Sequence, residues 1–307
     1  MPPSSSNAAA SWSVADAGMS PTPETAPLVL GDMEISRLRY GNYRWDGGAL
    51  FGVVPKTLWN RKTTADELNR IPLAFNGYLI RTSEHHILVE TGCGDKMDSR
   101  ARARMDVAPQ TEPLPAIVAH LGFDPDSIDI VINSHLHWDH CGGNTILAAG
   151  GPARPAFPRA RYFASRPEWE HAHERLDRDS VSYIDANYDP LVESGHMILV
   201  DGDHEVAPGI WMRRAPGHNR DMMVVTASSG GQTFCFLSDL VPTAAHLQPT
   251  WVAAFDLYPL ETIDNKIRWL TAAVEGGWYC GFGHDVSIPF ARIAADAKTR
   301  FVCDNRT

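Results

Sequence analysis

The ten residues Ser134-His135-Leu136-His137-Trp138-Asp139-His140-Cys141-Gly142-Gly143 constrain this chain more than any other segment. Three imidazoles and a carboxylate between 135 and 140 are more titratable groups than a packed core tolerates, because every buried polar group needs a partner. A metal ion supplies that partner. Imidazole nitrogen and carboxylate oxygen suit zinc and its first-row neighbours, and they bind once deprotonated and converging. In an extended or turning segment His135 and His137 point the same way, while Asp139 and His140 come round on the following bend toward a second point. The β-branched run 128–132 reads as a buried strand that delivers the motif at its C-terminal end, and Gly142-Gly143 lets the backbone turn sharply away.

The rest of the chain alternates strands and helices in two halves. Residues 76–81 and 86–90 read as a hairpin, with 91–94 turning out of it, and 161–164 as a further short strand. A helix is expected over 167–176, with Pro167 near its first turn. In the second half, 222–226 and 233–237 flank Ser229-Gly230-Gly231 as a hairpin, and Ile263, Ile267, Leu270 and Val274 form an apolar stripe at helical spacing.

His-x-His-x-Asp-His followed by Gly resembles the signature of the metallo-β-lactamase superfamily of dinuclear hydrolases, and three later segments extend the likeness in the family's order. Pro216-Gly217-His218-Asn219 follows the strand-like 210–215, Leu237-Ser238-Asp239 ends the run 233–236, and Gly283-His284-Asp285 follows 278–280. The resemblance covers roughly residues 30 to 290. It implies an αβ/βα four-layer sandwich (α/β, α+β class), two mixed β-sheets face to face with helices outside. It implies that His135, His137 and His218 hold a first metal, that Asp139, His140 and His284 hold a second, and that Asp239 bridges them. Asp139 and Asp239 are thereby expected to be catalytic as well as ligating. Two divalent ions about 3.5 to 4 Å apart, zinc by default, would generate a bridging hydroxide near pH 7, so no serine or cysteine nucleophile is needed.

Single positions narrow the branch. The oxygen-reducing diiron members carry a carboxylate where this chain has His137, and Asp239 with His140 points to the general hydrolases rather than the β-lactamases. Glu90-Thr91-Gly92 stands where the family has Asp-Thr-Gly, so Glu90 is expected to support the ligands with one methylene more. The Gly-punctuated, aromatic segment 46–59 is similar to one in quorum-quenching lactonases and methyl parathion hydrolase. Phe51, Trp59, Trp138, Trp251, Phe255 and Tyr258 are candidate walls of an apolar pocket, fewer than half of them in contact with substrate, and His246 is a candidate substrate contact. Acyl-homoserine lactonases often have a Tyr shortly after the bridging Asp, where this chain has Pro242. The expected activity is metal-dependent hydrolysis of a small lactone or ester. Phosphotriester hydrolysis at the same centre, or a metal-binding interaction module without catalysis, are the alternatives.

Composition restricts partners. With 27 basic and 37 acidic residues the net charge is −10, which repels a polyphosphate backbone, so a small-molecule substrate is expected rather than nucleic acid. Residues 1–27, rich in Ser, Ala and Pro and lacking Lys, Arg and any apolar run, read as a disordered tail rather than a targeting signal, and 28–307 as one hydrolase domain. No apolar run reaches the roughly 20 residues of a membrane helix. Five cysteines without a Cys-x-x-Cys pair suggest reduced thiols in a cytoplasmic protein, with Cys141 a small core residue. A homodimer is compatible with the apolar N-terminal part.

Overall fold

In a computed structural model of the chain, residues 25–108, 112–147 and 151–304 are described. The tail expected over 1–27 lies outside them up to residue 24. The first sheet is built from β1 (Leu28–Leu30), β2 (Met33–Asp46), β3 (Arg70–Arg81), β4 (His86–Val89) and β5 (Ile130–Ile132). A small hairpin, β6 (Thr145–Leu147) and β7 (Ala153–Pro155), stands apart, and β8 (Arg161–Ser165) and β9 (Met197–Val200) complete the sheet in the order β1-β2-β3-β4-β5-β8-β9. The second sheet runs in sequence order from β10 (His204–Ala207), β11 (Ile210–Arg214), β12 (Met223–Ser229) and β13 (Gln232–Phe236) to β14 (Tyr279–Gly281), β15 (Ala291–Asp296) and β16 (Arg300–Cys303). Both sheets are mixed: β4, β5, β8 and β9 pair in parallel, as do β13 and β14.

The side-chain alternation of the central strands explains the layers. On β4, Ile87 and Val89 face the second sheet while Leu88 faces outward, and on β5 Ile130 and Ile132 face inward while Val131 faces outward. On β12 and β13, Met223, Val225, Phe234 and Phe236 meet them across the interior, while Val224 and Cys235 back onto helix Pro259–Gly276. A strand covered on both faces needs apolar residues throughout, which is why β5 shows no polar alternation. Two mixed sheets face to face with helices outside are thus the architecture, as the sequence resemblance implied.

Local departures have physical causes. The helix expected over 167–176 is Arg166–Glu174, and the run 128–132 narrows to β5 because Asp129 instead caps the neighbouring hairpin, its carboxylate accepting from His86 N–H at 3.0 Å. Segment 46–59 is two short helices, Gly47–Phe51 and Lys56–Trp59, the first opened by Asp46, whose Oδ1 accepts the N–H of Ala49 at 3.0 Å. Helix Pro259–Gly276 is rotated from its expected face: Ile263, Ile267 and Val274 are half-buried, while Thr262, Lys266, Trp269, Leu270 and Ala273 are buried. Polar Thr262 and Lys266 point inward because each ties down the loop that backs the site. All five cysteines are unpaired. Among the described residues no helix is long and apolar enough to cross a membrane.

Candidate metal centre

The sequence-selected groups come from the C-terminal ends of four strands at one edge of the sandwich. His135 and His137 leave β5, Asp139 and His140 lie on the helical turn Trp138–Cys141, His218 follows β11, Asp239 sits in the turn Ser238–Leu240 after β13, and His284 follows β14. The two halves of the chain are joined here. Met223 N–H donates to Ser134 O at 2.9 Å, and the Ser134 and Ser238 hydroxyls hydrogen-bond at 2.7 Å. At Gly217, with φ +144°, an added Cβ would lie 2.5 Å from Thr262 Cα, so glycine lets the His218 loop lie directly on the last helix.

The donor atoms of His135, His137 and His218 lie within 4.8 Å of one another, as do those of Asp139, His140 and His284, and those of His135, His140 and Asp239. Asp239 stands between the first two triads. Its Oδ2 is 3.4 Å from His218 Nε2, and its Oδ1 is 3.0 Å from His284 Nε2 and 3.4 Å from His140 Nε2. Nitrogen also faces nitrogen: His218 Nε2 is 3.0 Å from His137 Nδ1, and His284 Nε2 is 3.3 Å from His140 Nε2. His135 Nε2, His137 Nε2 and Asp239 Oδ1 are buried without a hydrogen-bond partner. Buried lone pairs aimed at common points are a poor hydrogen-bond network and a fitting cradle for cations, so this donor set suits two divalent ions.

The charge state of the cluster follows from burial and crowding. Burial and the neighbouring imidazoles hold His135 and His137 well below the ordinary histidine range. Burial would also lower His140, but the Asp239 and Asp139 carboxylates push it well above that range. Burial alone would raise the Asp239 carboxyl, yet the His140, His284 and His218 imidazoles hold it well below the usual carboxylate range.

His135, His218 and His284 are held from behind by hydrogen bonds, and His140 by a nearby carboxylate. His218 Nδ1 donates to Asp256 Oδ1 at 2.9 Å, and Asp256 Oδ2 accepts the Thr262 hydroxyl at 2.8 Å. His284 Nδ1 lies 3.0 Å from Ala74 O and 3.1 Å from the Tyr43 hydroxyl, and His135 Nδ1 lies 2.9 Å from Ser134 Oγ. Glu90 stands behind the centre, its Oε1 accepting Ser134 N–H at 2.9 Å and its Oε2 3.6 Å from His140 Nδ1. It occupies φ +64°, a region costly for a non-glycine residue. Glu168 accepts both Leu136 N–H at 3.0 Å and the Tyr183 hydroxyl at 3.1 Å, and burial raises its carboxyl to about 7. The Tyr183 ring packs edge-on against His137 with centroids 4.9 Å apart.

A cavity of about 360 Å³ opens over the centre, bounded by His137, Asp139, His218, Asp239 and His284. Its apolar walls include Trp45, Trp138 and Phe255, with Trp45 and Phe255 stacked at 5.5 Å. Of the six aromatic residues chosen from sequence, Trp138 and Phe255 line this cavity. Phe51 and Trp59 do not: they are fully buried and stack on each other at 5.3 Å, propping the wall formed by Ala49 and Leu50. His246 does not reach the cavity either. Its ring stacks on Phe51 at 4.4 Å, its Nδ1 lies 2.8 Å from the Thr243 hydroxyl and its Nε2 donates to Leu50 O at 2.9 Å, so both nitrogens are committed. Burial keeps it neutral, with its pKa lowered to about 3. Trp251 lines a second cavity of about 430 Å³, and Tyr258 lines neither. Cys141 is buried, its Sγ 3.2 Å from Leu136 O, and belongs to none of the donor clusters.

The model of the metallo-beta-lactamase superfamily matches residues 71–284, a span that contains every candidate ligand. The chain belongs to this superfamily. It is 27% identical over 183 residues to an N-acyl homoserine lactonase of Bacillus sp., covering 56% of this chain and 65% of that protein. For the same-named protein of Bacillus thuringiensis, the match covers 59% of its length. Another relative, the N-acyl homoserine lactonase AttM of Azorhizobium caulinodans, is 25% identical over 265 residues, which is 79% of this chain and 92% of that one. Among solved structures, a probable metal-dependent hydrolase from Staphylococcus aureus superposes with a TM-score of 0.81 at 30% identity, covering 91% of this chain and all of the other. AidC, a dizinc quorum-quenching lactonase in complex with a product, shares the fold at a TM-score of 0.75 and 20% identity over 92% of this superfamily member and 97% of its own chain.

Proposed function

We propose that the chain, over residues 28–307 as one domain, is a dinuclear metal-dependent hydrolase that opens a small lactone or cleaves a small carboxylic ester. One observation carries this reading: Asp239 turns one carboxylate oxygen toward each of two triads of buried donors. His135, His137 and His218 would hold one divalent ion and Asp139, His140 and His284 the other, with Asp239 contributing a carboxylate oxygen on each side. Zinc is the default ion for these donors, which also accept iron, manganese or cobalt. When bound, the pair supplies a water ionised near neutral pH and Lewis acidity at the substrate oxygen. The remaining work belongs to the chain's own residues. Trp45, Trp138 and Phe255 take the acyl or aryl part of the substrate and exclude bulk water. Asp139 borders the same cavity and is placed to accept the proton of the attacking water and return it to the leaving oxygen, while Asp239, with one oxygen toward each triad, holds the centre together. Asp256 fixes His218 with its proton on Nδ1, leaving Nε2 free for the centre.

The lactonase names among the relatives support this substrate class, and five unpaired thiols suit a reducing cytoplasmic setting. An aryl phosphotriester is the second reading. It is favoured by the aromatic wall and by Pro242, which lines the cavity and offers no hydroxyl to a carbonyl oxyanion. The test is the initial hydrolysis rate of the zinc-loaded protein on acyl-homoserine lactones, aryl esters and an aryl phosphotriester, with Asp239→Ala as control. Turnover of a lactone or ester that falls at least a hundredfold in the control is expected; silence on all three, or equal rates in both proteins, overturns the proposal.

A further inference from the structure

Arg178 is a cationic side chain on the lining of the metal cavity, and the lactone or ester chemistry above gives it no task. It is exposed, and its Nη2 donates to the backbone carbonyl of Ala254 across 76 residues of sequence. Among the described residues its guanidinium has no carboxylate partner. Asp179, on the same lining, directs its carboxylate elsewhere, to His171 Nε2 at 2.6 Å and Leu176 N–H at 2.9 Å.

The mouth has a mixed character. Val181, 84% exposed, and Ser182 lie beside Arg178 on one wall, and Ala254, Phe255 and Leu257 form the other. Ala254 N–H donates to Ala49 O at 2.8 Å, so the wall that Arg178 touches is continuous with the first short helix. A guanidinium offers five donors in a planar fork, and a neutral carbonyl engages it less strongly than a carboxylate that accepts two parallel hydrogen bonds. An anionic group entering between these walls gains more from Arg178 than Ala254 O loses, because that carbonyl sits at an exposed rim where water can replace the guanidinium.

We propose that Arg178 is a specificity-determining residue that recognises a carboxylate carried by the substrate at the end remote from the scissile bond. The preferred substrate class is then a half-ester or lactone acid: an apolar spacer along Trp45, Phe255 and Val181, the scissile carbonyl at the metal centre, and an anionic terminus at the rim. The inference rests on the hydrolase reading and refines its substrate, against the background of a chain whose overall charge of −10 repels anions at long range.

Two measurements separate the two claims. The first is the ratio of kcat/KM for a 4-nitrophenyl half-ester of glutaric acid to that for 4-nitrophenyl butyrate, in the zinc-loaded wild type, Arg178→Met and Arg178→Lys. A wild-type ratio of about ten is expected, carried by KM, falling to about one in R178M and partly restored in R178K. The second is calorimetric binding of dicarboxylates from glutarate to suberate, each against the monocarboxylate of equal length. At least one member should bind about tenfold more tightly than its monocarboxylate in the wild type and lose that advantage in R178M. Equal affinities throughout the wild-type series, or an advantage that survives in R178M, overturn the role of Arg178 even if both esters are hydrolysed. An Arg178-dependent dicarboxylate preference without hydrolysis of these esters, of lactones or of the phosphotriester would instead overturn the hydrolase reading and leave the anion site standing.

Discussion

Replacing Asp256 by Asn isolates the part of the centre that lies behind the ligands. Asp256 lines neither of the two cavities described above, but its Oδ1 accepts His218 Nδ1–H at 2.9 Å and its Oδ2 accepts the Thr262 hydroxyl at 2.8 Å, all in a buried setting. An amide keeps the shape and one acceptor, and the Thr262 hydroxyl can rotate to accept from the new NH₂, so the fold should survive. What disappears is the negative charge facing a histidine that must donate electron density. A buried hydrogen bond to a charged group contributes about 1.5–3 kcal/mol, and losing its charge-assisted half corresponds to about tenfold in affinity. Asp256→Ala removes the whole interaction and should cost about a hundredfold. The assay is zinc competition with a chromophoric chelator, read alongside thermal unfolding of the unloaded proteins. Asp256→Asn should weaken one of two binding steps about tenfold while the unloaded protein unfolds within a few degrees of wild type. Two unchanged binding steps in both variants would refute the role of Asp256 and the chain of reasoning that runs from Thr262 to His218.

His246→Ala should behave as a core mutation, lowering stability by about 2–4 kcal/mol while kcat stays within a few-fold, because both imidazole nitrogens are tied to Thr243 and Leu50; a hundredfold fall in kcat at unchanged stability would contradict this. Burial lowers Lys266 to about 7, against a raising pull from Asp256, whereas an unfolded lysine titrates near 10.4. Between those values the unfolded chain holds more protons, so this group makes stability rise with pH, and Lys266→Met should remove about 2 kcal/mol of that rise between pH 7.5 and 9.5 in urea unfolding; identical pH slopes would refute it. Metal uptake must displace protons from His140 and His218, whose pKa values are raised in the unloaded cluster, chiefly by Asp239 acting against burial. Zinc affinity should therefore be at least tenfold weaker at pH 6 than at pH 8 in chelator competition, and a flat profile would contradict the ligand assignment.

What sequence conveys here is what is local or strand-periodic. The 134–143 segment is legible because its donors are closely spaced and follow a strand whose two faces are both apolar. His218, Asp239 and His284 are legible as strand-end residues once the family order is recognised. Asp256 is not: it lies 38 residues beyond His218, in no motif, and acquires its role only when Gly217 brings that loop onto Thr262. Tyr43 and Glu168 are hidden for the same reason, since each acts on ring or backbone atoms of a distant segment, His284 and Leu136 respectively. The aromatic choices failed where stacking won: Phe51, Trp59 and His246 satisfy one another in the interior, and sequence does not distinguish an aromatic that walls a cavity from one that props the wall. The apolar stripe of the last helix misjudged its buried face because Lys266 spends its ammonium on the carbonyls of Gln248 and Trp251, at 3.0 and 2.7 Å, a pairing visible only in three dimensions.

The most direct test of a two-ion centre bridged by Asp239 is native mass spectrometry of zinc-saturated wild type and Asp239→Ala, with rates on the preferred ester measured on the same samples. Two zinc ions per wild-type chain, one or fewer in Asp239→Ala, and a parallel loss of turnover are the predicted result. A single ion in the wild type, or two ions and full turnover in Asp239→Ala, would contradict the account.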